Sequence, residues 1–311
     1  MKNFPFIIAC LFCLFTSVSA QNTQYGGDPL QLGAGARALG LGGAFVAISD
    51  DATAIYWNPA GLVHPKNKEL HVQHTEQFGG SVNHDIIAFR LPLHNGGLGF
   101  GLIRLGVDNI SLTSLEDPTR PLGPDNRPII SQTVGTTDNT LYIAYGHPIR
   151  SSLTLGMTIK LIYRDLSLGT GTGFGVDTGL QYQGKHPLKF AFVIRNLTKT
   201  RIHFDAGNTD AISPSLLLGA SYTHTFSDTH RLLGAISGHL GEDTSGIEGN
   251  QVIHLGIEYQ LKQRLMLRLG RRGSHFTAGA GIKLNRATID LAFLQNSQLN
   301  NTYRISTSIF F

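Results

Sequence analysis

Along most of the chain, apolar and polar side chains alternate one for one, in runs of about ten residues broken by turns. The last run shows it best. Tyr303, Ile305, Thr307, Ile309 and Phe311 share one parity, while Arg304, Ser306 and Ser308 share the other. Because strand side chains point alternately to opposite faces, such a run has one apolar side and one wet side. Leu153, Leu155, Met157, Ile159, Leu161 and Tyr163 repeat the design, and so do Ile253, Leu255, Ile257, Tyr259 and Leu261. The pattern predicts strands over 69–77, 82–92, 97–106, 139–149, 152–166, 174–183, 187–196, 215–226, 231–241, 251–261, 264–271, 275–285, 287–295 and 302–311. That is an even number, about 14, as a closed bacterial barrel requires.

The connections sort by parity. Every second one is short, such as Arg150-Ser151 or Lys262-Gln263, whereas 107–138, 197–214 and 242–250 are long and rich in Pro, Asp, Asn and Gly. Short turns on one side and long loops on the other are the habit of outer-membrane barrels, whose tilted strands need about 9–11 residues to cross. The expected fold is therefore all-β, a transmembrane antiparallel β-barrel over 69–311. A soluble β-sandwich would alternate too, but it has no reason to sort its loops.

Charge fits that orientation. Lys160, Arg164, Asp177, Arg195, Glu258, Arg268, Lys283, Asp290 and Arg304 all fall opposite the large apolar residues. An Arg or Lys facing lipid at mid-depth would cost about 2–4 kcal/mol, so these nine are expected to line a polar, mildly cationic interior. Arg104 breaks the rule, sharing a face with Leu98, Phe100 and Leu102; it either snorkels at a strand end or marks a shifted register.

The two ends of the chain differ from the middle. Lys2, the apolar run Phe4–Phe15 and the small residues Val18-Ser19-Ala20 make a secretory signal peptide over 1–20, with cleavage expected near Ala20-Gln21. Both cysteines, Cys10 and Cys13, fall inside it, leaving the mature chain without disulfides or thiolate sites. Residues 21–68 do not alternate. They hold a glycine-dense run, then Asp50 or Asp51 as a helix N-cap, with one or two turns over Ala52–Trp57 stopped by Pro59. Such a stretch can pack inside a barrel without exposing unpaired backbone to lipid, and is expected to form a hatch or plug.

The run Gly35-Ala36-Arg37-Ala38-Leu39-Gly40, Gly42-Gly43-Ala44-Phe45-Val46-Ala47, then Asp50-Asp51-Ala52 and Trp57-Asn58-Pro59-Ala60-Gly61-Leu62, resembles the N-terminal signature of the PorV/PorQ family. That family belongs to the wider group of FadL-like barrels of 14 strands with an N-terminal hatch. The resemblance implies a non-enzymatic role in the type IX secretion system of Bacteroidota-like bacteria, with secreted cargo and secretion-system subunits as partners. The FadL branch of the same group implies instead uptake of long-chain fatty acids or other hydrophobic compounds. FadL-like channels use a lateral gap, for which the Gly-rich third strand (Gly97, Gly99, Gly101, Gly106) is the candidate. The polar lumen weighs toward export. Asp50, Asp51, Trp57, Asn58 and Pro59 are the candidate hatch, partner or ligand residues, against an architectural reading as caps and turns. The terminal Phe311 looks like the signal read by the barrel assembly machinery, and outer-membrane lipid would surround the barrel.

Little else suggests chemistry. Gly169–Gly175 lacks the Lys-Ser/Thr and the helix of a phosphate cradle and reads as a hairpin loop. His71 and His74, three apart on a strand, face opposite ways and would not share a metal. No motif singles out a catalytic residue, a metal site, a cofactor or a nucleic-acid partner. The loop 107–138, with Pro118, Pro121, Pro124 and Pro128, is long enough to fold over the mouth or grip a partner, or to be disordered.

Overall fold

The computed structural model describes residues 30–64, 66–77, 80–184, 186–240, 251–296 and 300–311. The signal peptide, its cleavage point and the loop 242–250 lie outside them.

Alternation becomes strands where expected. They are β1 (Glu69–Gln77), β2 (Val82–Leu93), β3 (Gly96–Leu115), β4 (Pro128–Arg150), β5 (Leu153–Asp165), β6 (Thr170–Gln183) and β7 (Leu188–Arg195). A small hairpin follows, β8 (Thr200–Phe204) and β9 (Thr209–Ile212), and then β10 (Ser215–Ser227), β11 (His230–Leu240) and β12 (Gln251–Leu261). The last four are β13 (Leu265–Arg272), β14 (His275–Lys283), β15 (Ala287–Leu294) and β16 (Thr302–Phe310). All 16 belong to one sheet. With the β8–β9 hairpin set aside, 14 strands remain, and β5–β6 and β1–β16 pairings close them into an antiparallel barrel.

Register puts the expected faces in the expected places. Arg304, Ser306 and Ser308 are buried on the inside of β16, while Tyr303 and Ile305 face out. The outward set of large apolar side chains, among them Leu161, Tyr163, Ile257, Leu267 and Leu291, forms the surface that a bilayer's hydrocarbon would cover. Eight of the nine charges assigned to the interior lie inside and buried or half-buried; Lys283, beside the short turn at 284–286, is exposed. Arg104 does face outward, where it meets Asp85 at 3.9 Å, and Asp85 in turn holds His74 at 2.6 Å. A charge on the outer wall thus finds partners across β1, β2 and β3.

Three stretches differ from expectation, one of them the loop 197–214, which holds the β8–β9 hairpin. Most of 107–138 is strand: β3 and β4 run on past their neighbours as a two-stranded ribbon, pairing Ile110 with Val134 and Leu115 with Pro128, with only 116–127 at the tip. The prolines cluster at that tip and at the ribbon's first pair, where they cost little backbone pairing. The Gly169–Gly175 run is likewise strand from Thr170 on. β6 pairs with β5 on one edge and β8 on the other, and a Cβ at Gly175 would sit 2.2 Å from Thr200 Oγ1. Glycine is there because another chain segment lies close, not for flexibility.

Candidate functional site

Residues 30–63 touch the inner wall on all sides and so lie within the barrel. Helix α1 (Ala36–Gly40) packs on β13 to β16, and the 3-10 helix Pro59–Val63 packs on β2 to β6. Leu41, Phe45, Val46, Ile48, Ile55 and Leu62 are each no more than 1% exposed. They form one core with inward residues of the wall, including Ile86, Ile103, Tyr142, Val193 and Leu217. The interior is therefore less polar than the charge pattern alone suggested, because the segment and half of the wall supply an apolar filling.

The wall is shaped to this filling by glycine. A Cβ at Gly97 would lie 2.2 Å from the Leu62 carbonyl oxygen, at Gly99 2.4 Å from Ile55 Cγ2, and at Gly156 2.2 Å from the Pro59 carbonyl carbon. At Gly256 it would meet the Leu41 carbonyl at 2.5 Å. The glycines of β3 thus serve close approach of the segment. The strand is paired to both neighbours from Gly97 through Val107, so no lateral gap opens there.

Charge pairs tie the same elements together. Arg37 donates to Asp50 at 2.5 Å and to both oxygens of Glu258 at 2.8 and 2.9 Å. Arg268, buried, bridges Glu258 at 2.6 Å and Asp290 at 2.7 Å. Burial opposes the charge of Asp50, but Arg37, helped by Lys189, outweighs it and holds the carboxyl below its ordinary value of 3.8. Arg37 is likewise held above its usual range, since Asp50 and Glu258 more than offset its burial. Elsewhere Lys160 meets Asp177 at 2.7 Å, Arg90 meets Glu69 at 3.1 Å, and Arg164 is ion-paired to Asp138. Pairing offsets the desolvation cost that a bare buried charge would leave uncompensated.

The candidate residues occupy structural posts. Asp51 accepts from the Thr53 amide at 2.9 Å and from its hydroxyl, starting helix α2 (Ala54–Trp57), which is a single turn. Thr53, not either aspartate, holds the N-cap position, and Asp50 instead faces Arg37. Asn58 accepts from the Ala60 amide and donates to the Val46 carbonyl at 3.1 Å and to Leu180 of the wall at 3.3 Å. Pro59 does end α2, and it opens the 3-10 helix. Trp57 donates its indole N–H to the Ala34 carbonyl at 2.7 Å and packs edge-on against Tyr56 and Phe45. Phe311 stays exposed on the outer face, its amide donating to the Lys68 carbonyl. His71 and His74 do split between faces: His71 is buried against the Ser308 hydroxyl, and His74 lies outside on Asp85.

Two cavities adjoin at the long-loop end of the segment and share Gln31, Tyr56, Arg195 and His239. One, of about 40 Å³, is walled by Trp57, Leu32 and Leu217 with Arg195, Arg272 and Arg304. Arg195 lies over the ring of Tyr56 at 4.5 Å and near that of Trp57 at 5.7 Å. Arg195 and Arg304 were legible as interior charges, but their sharing one cavity was not, because β7, β16 and the segment must fold together to make it.

Comparison with known proteins agrees with this architecture. The toluene transporter TodX of P. putida is similar in fold, with a TM-score of 0.61 and 14% identity over 90% of this chain and 99% of that one. The monoaromatic hydrocarbon channel CymD gives 0.61 and 14% over 90% and 98%. The toluene transporter TbuX of Ralstonia pickettii gives 0.57 and 14% over the same shares. No curated protein matches the chain. Residues 16–186, more than half of the sequence, match a family model, and the chain belongs to that family, the uncharacterised protein family UPF0164.

Proposed function

We propose that this chain is an outer-membrane channel for small hydrophobic compounds, non-enzymatic, with residues 30–63 as a plug seated in its lumen. The observation that carries the reading is the likeness in barrel architecture to three hydrocarbon channels across nine-tenths of the chain.

The export role rested on the signature of residues 35–62 and on a polar lumen. Nearly every residue of that signature is buried against the barrel wall; only Arg37, Asp50 and Asp51 are partly exposed. These residues offer cargo no surface, and their spacing is accounted for by the fit to the wall glycines. The lumenal charges, for their part, are largely neutralised in pairs. The hydrophobic-channel reading therefore takes precedence.

The test is gain of uptake. Cells without a hydrocarbon channel of their own should take up labelled toluene faster when they carry this chain than when they carry an equal amount of an unrelated, closed barrel. Equal initial rates would remove the reading.

A further inference from the structure

Two hollows lie one above the other on the outer wall, along the same strands. At the short-turn end, a groove of about 730 Å³ is walled by Ile282, Leu284, Ala287 and Ile309 and rimmed by Arg264, Lys283 and Arg286. Above it, a hollow of about 560 Å³ opens where Ala278 and Ala280 sit among the larger Leu291, Phe293, Tyr303 and Ile305. Register joins the two into one strip. Ile282 pairs with Ile289, Ala280 with Leu291 and Ala278 with Phe293 across β14 and β15, and Leu291 pairs in turn with Ile305. These side chains have the outward parity that a bilayer covers.

The three cations belong together. The Lys283 amide donates to the Arg264 carbonyl at 2.7 Å, which makes the two residues cross-strand neighbours. Side chains so placed start about 5 Å apart. Arg286 follows in the same hairpin, whose turn the Leu284 amide closes on the Ala287 carbonyl at 2.7 Å. All three are exposed, and among the described residues none is ion-paired. The short turns as a group are basic: among the described residues they carry Lys262, Arg264 and Arg286 against one acid, Asp228. The far end of the strip is bordered instead by Glu76 and by His74, which Asp85 holds.

Charge therefore fixes how an occupant lies. An anionic group is favoured at the short-turn rim and opposed by the carboxylates at the far end, and the surface between them is apolar. From Ile282 to Ala278 the strand advances by about 13 Å, close to half of a hydrocarbon core about 30 Å thick. An acyl chain of one leaflet has that reach. The groove at the rim, 730 Å³, falls within the range of about 300–1,000 Å³ found for ligand pockets, so a phospholipid head group has room there.

We infer that the strip over β13 to β16 retains an anionic phospholipid of the leaflet at the short-turn end, with its phosphate at Arg264, Lys283 and Arg286 and an acyl chain in the hollow over Ala278 and Ala280. This requires only that the barrel sit in a bilayer, whatever the lumen carries.

The purified full chain in detergent is titrated with dioleoylphosphatidylglycerol and, separately, with dioleoylphosphatidylcholine, and the lipid retained per chain is counted by native mass spectrometry. A cation near an anionic lipid head is worth about fivefold in binding. One phosphatidylglycerol should therefore be retained at about a tenth or less of the concentration that phosphatidylcholine needs, with the gap narrowing as ammonium acetate rises. Lys283→Gln combined with Arg286→Gln should weaken phosphatidylglycerol about tenfold or more. Lys66→Gln combined with Arg150→Gln removes the same charge from the same end, outside the groove, and should change binding by less than about twofold. All four positions are exposed, so neither pair should impair assembly. Ala280→Phe fills the hollow without altering charge and should weaken both lipids while leaving their ratio as it was. Equal retention of the two lipids, or equal losses from the two charge pairs, would overturn the inference. So would phosphatidylglycerol held as tightly by Ala280→Phe as by the native chain.

Discussion

The fit of the N-terminal segment to the wall can be broken at one atom. Gly156 faces Pro59 and Ala60; an added Cβ would stand 2.2 Å from the Pro59 carbonyl carbon and 2.2 Å from the Ala60 nitrogen. Both neighbours are backbone, and Pro59 cannot rotate away, so either β5 or the 3-10 helix must move by more than an ångström. Overpacking a filled interior costs about 1–3 kcal/mol, and with no side chain free to yield Gly156→Ala should fall in the upper part of that range. Gly234 on β11 is the control, for a Cβ there meets nothing within 4 Å, and Gly234→Ala should change stability by less than about 0.5 kcal/mol. Denaturant unfolding of the refolded barrel, followed by Trp57 emission, reads both stability and seating, since Trp57 is only 7% exposed. If the clash is relieved by unseating the segment, emission shifts to the red before the barrel unfolds. Gly156→Ala that matched Gly234→Ala in midpoint and emission would refute the idea that the wall glycines hold the segment.

Four further outcomes follow from the same contacts. Arg268→Met leaves Glu258 and Asp290 facing each other without their shared cation, and should cost about 3–5 kcal/mol in denaturant unfolding. Asn58→Leu removes donors to the Val46 and Leu180 carbonyls at a fully buried position and should cost about 1–3 kcal/mol for each group left unsatisfied, again read by unfolding. Asp50 is held below its unfolded value, so its contribution is complete above about pH 4 and is lost as pH falls through the folded value. Asp50→Asn should then flatten the acid side of the stability profile and leave its slope above pH 5 unchanged. Deleting Phe311, which stays exposed at the end of β16, should reduce the amount of assembled barrel in the membrane fraction, with little effect on barrels refolded in detergent.

The barrel was legible because its rule is local. Each of Leu155, Met157, Leu161 and Tyr163 declares its face by parity alone, and the pairing of β1 with β16 needed only an even count. The ribbon at 107–138 was not legible, since Pro118, Pro121 and Pro124 suggested an irregular loop while Ile110, Leu112 and Val134 alternate too briefly to stand out. Glycine misled for a related reason. Whether Gly99 or Gly173 marks a kink, a flexible turn or a close neighbour depends on what lies opposite, Ile55 in one case and Ile202 with Arg201 in the other. The cavity beside Trp57 depends on still more, because Arg195, Arg272 and Arg304 converge from strands far apart in sequence. By contrast, the short helix and its stop at Pro59 were written in neighbouring residues, and only the capping post passed from the aspartates to Thr53.

The central claim is that this barrel admits small hydrophobic compounds and does not export proteins. Its most direct test is one deletion strain measured both ways against its parent: initial uptake of labelled toluene, and the set of proteins at the cell surface. The account predicts slower uptake, restored by the native chain, with the surface set unchanged. Unchanged uptake together with loss of surface proteins that share a C-terminal sorting domain would contradict it.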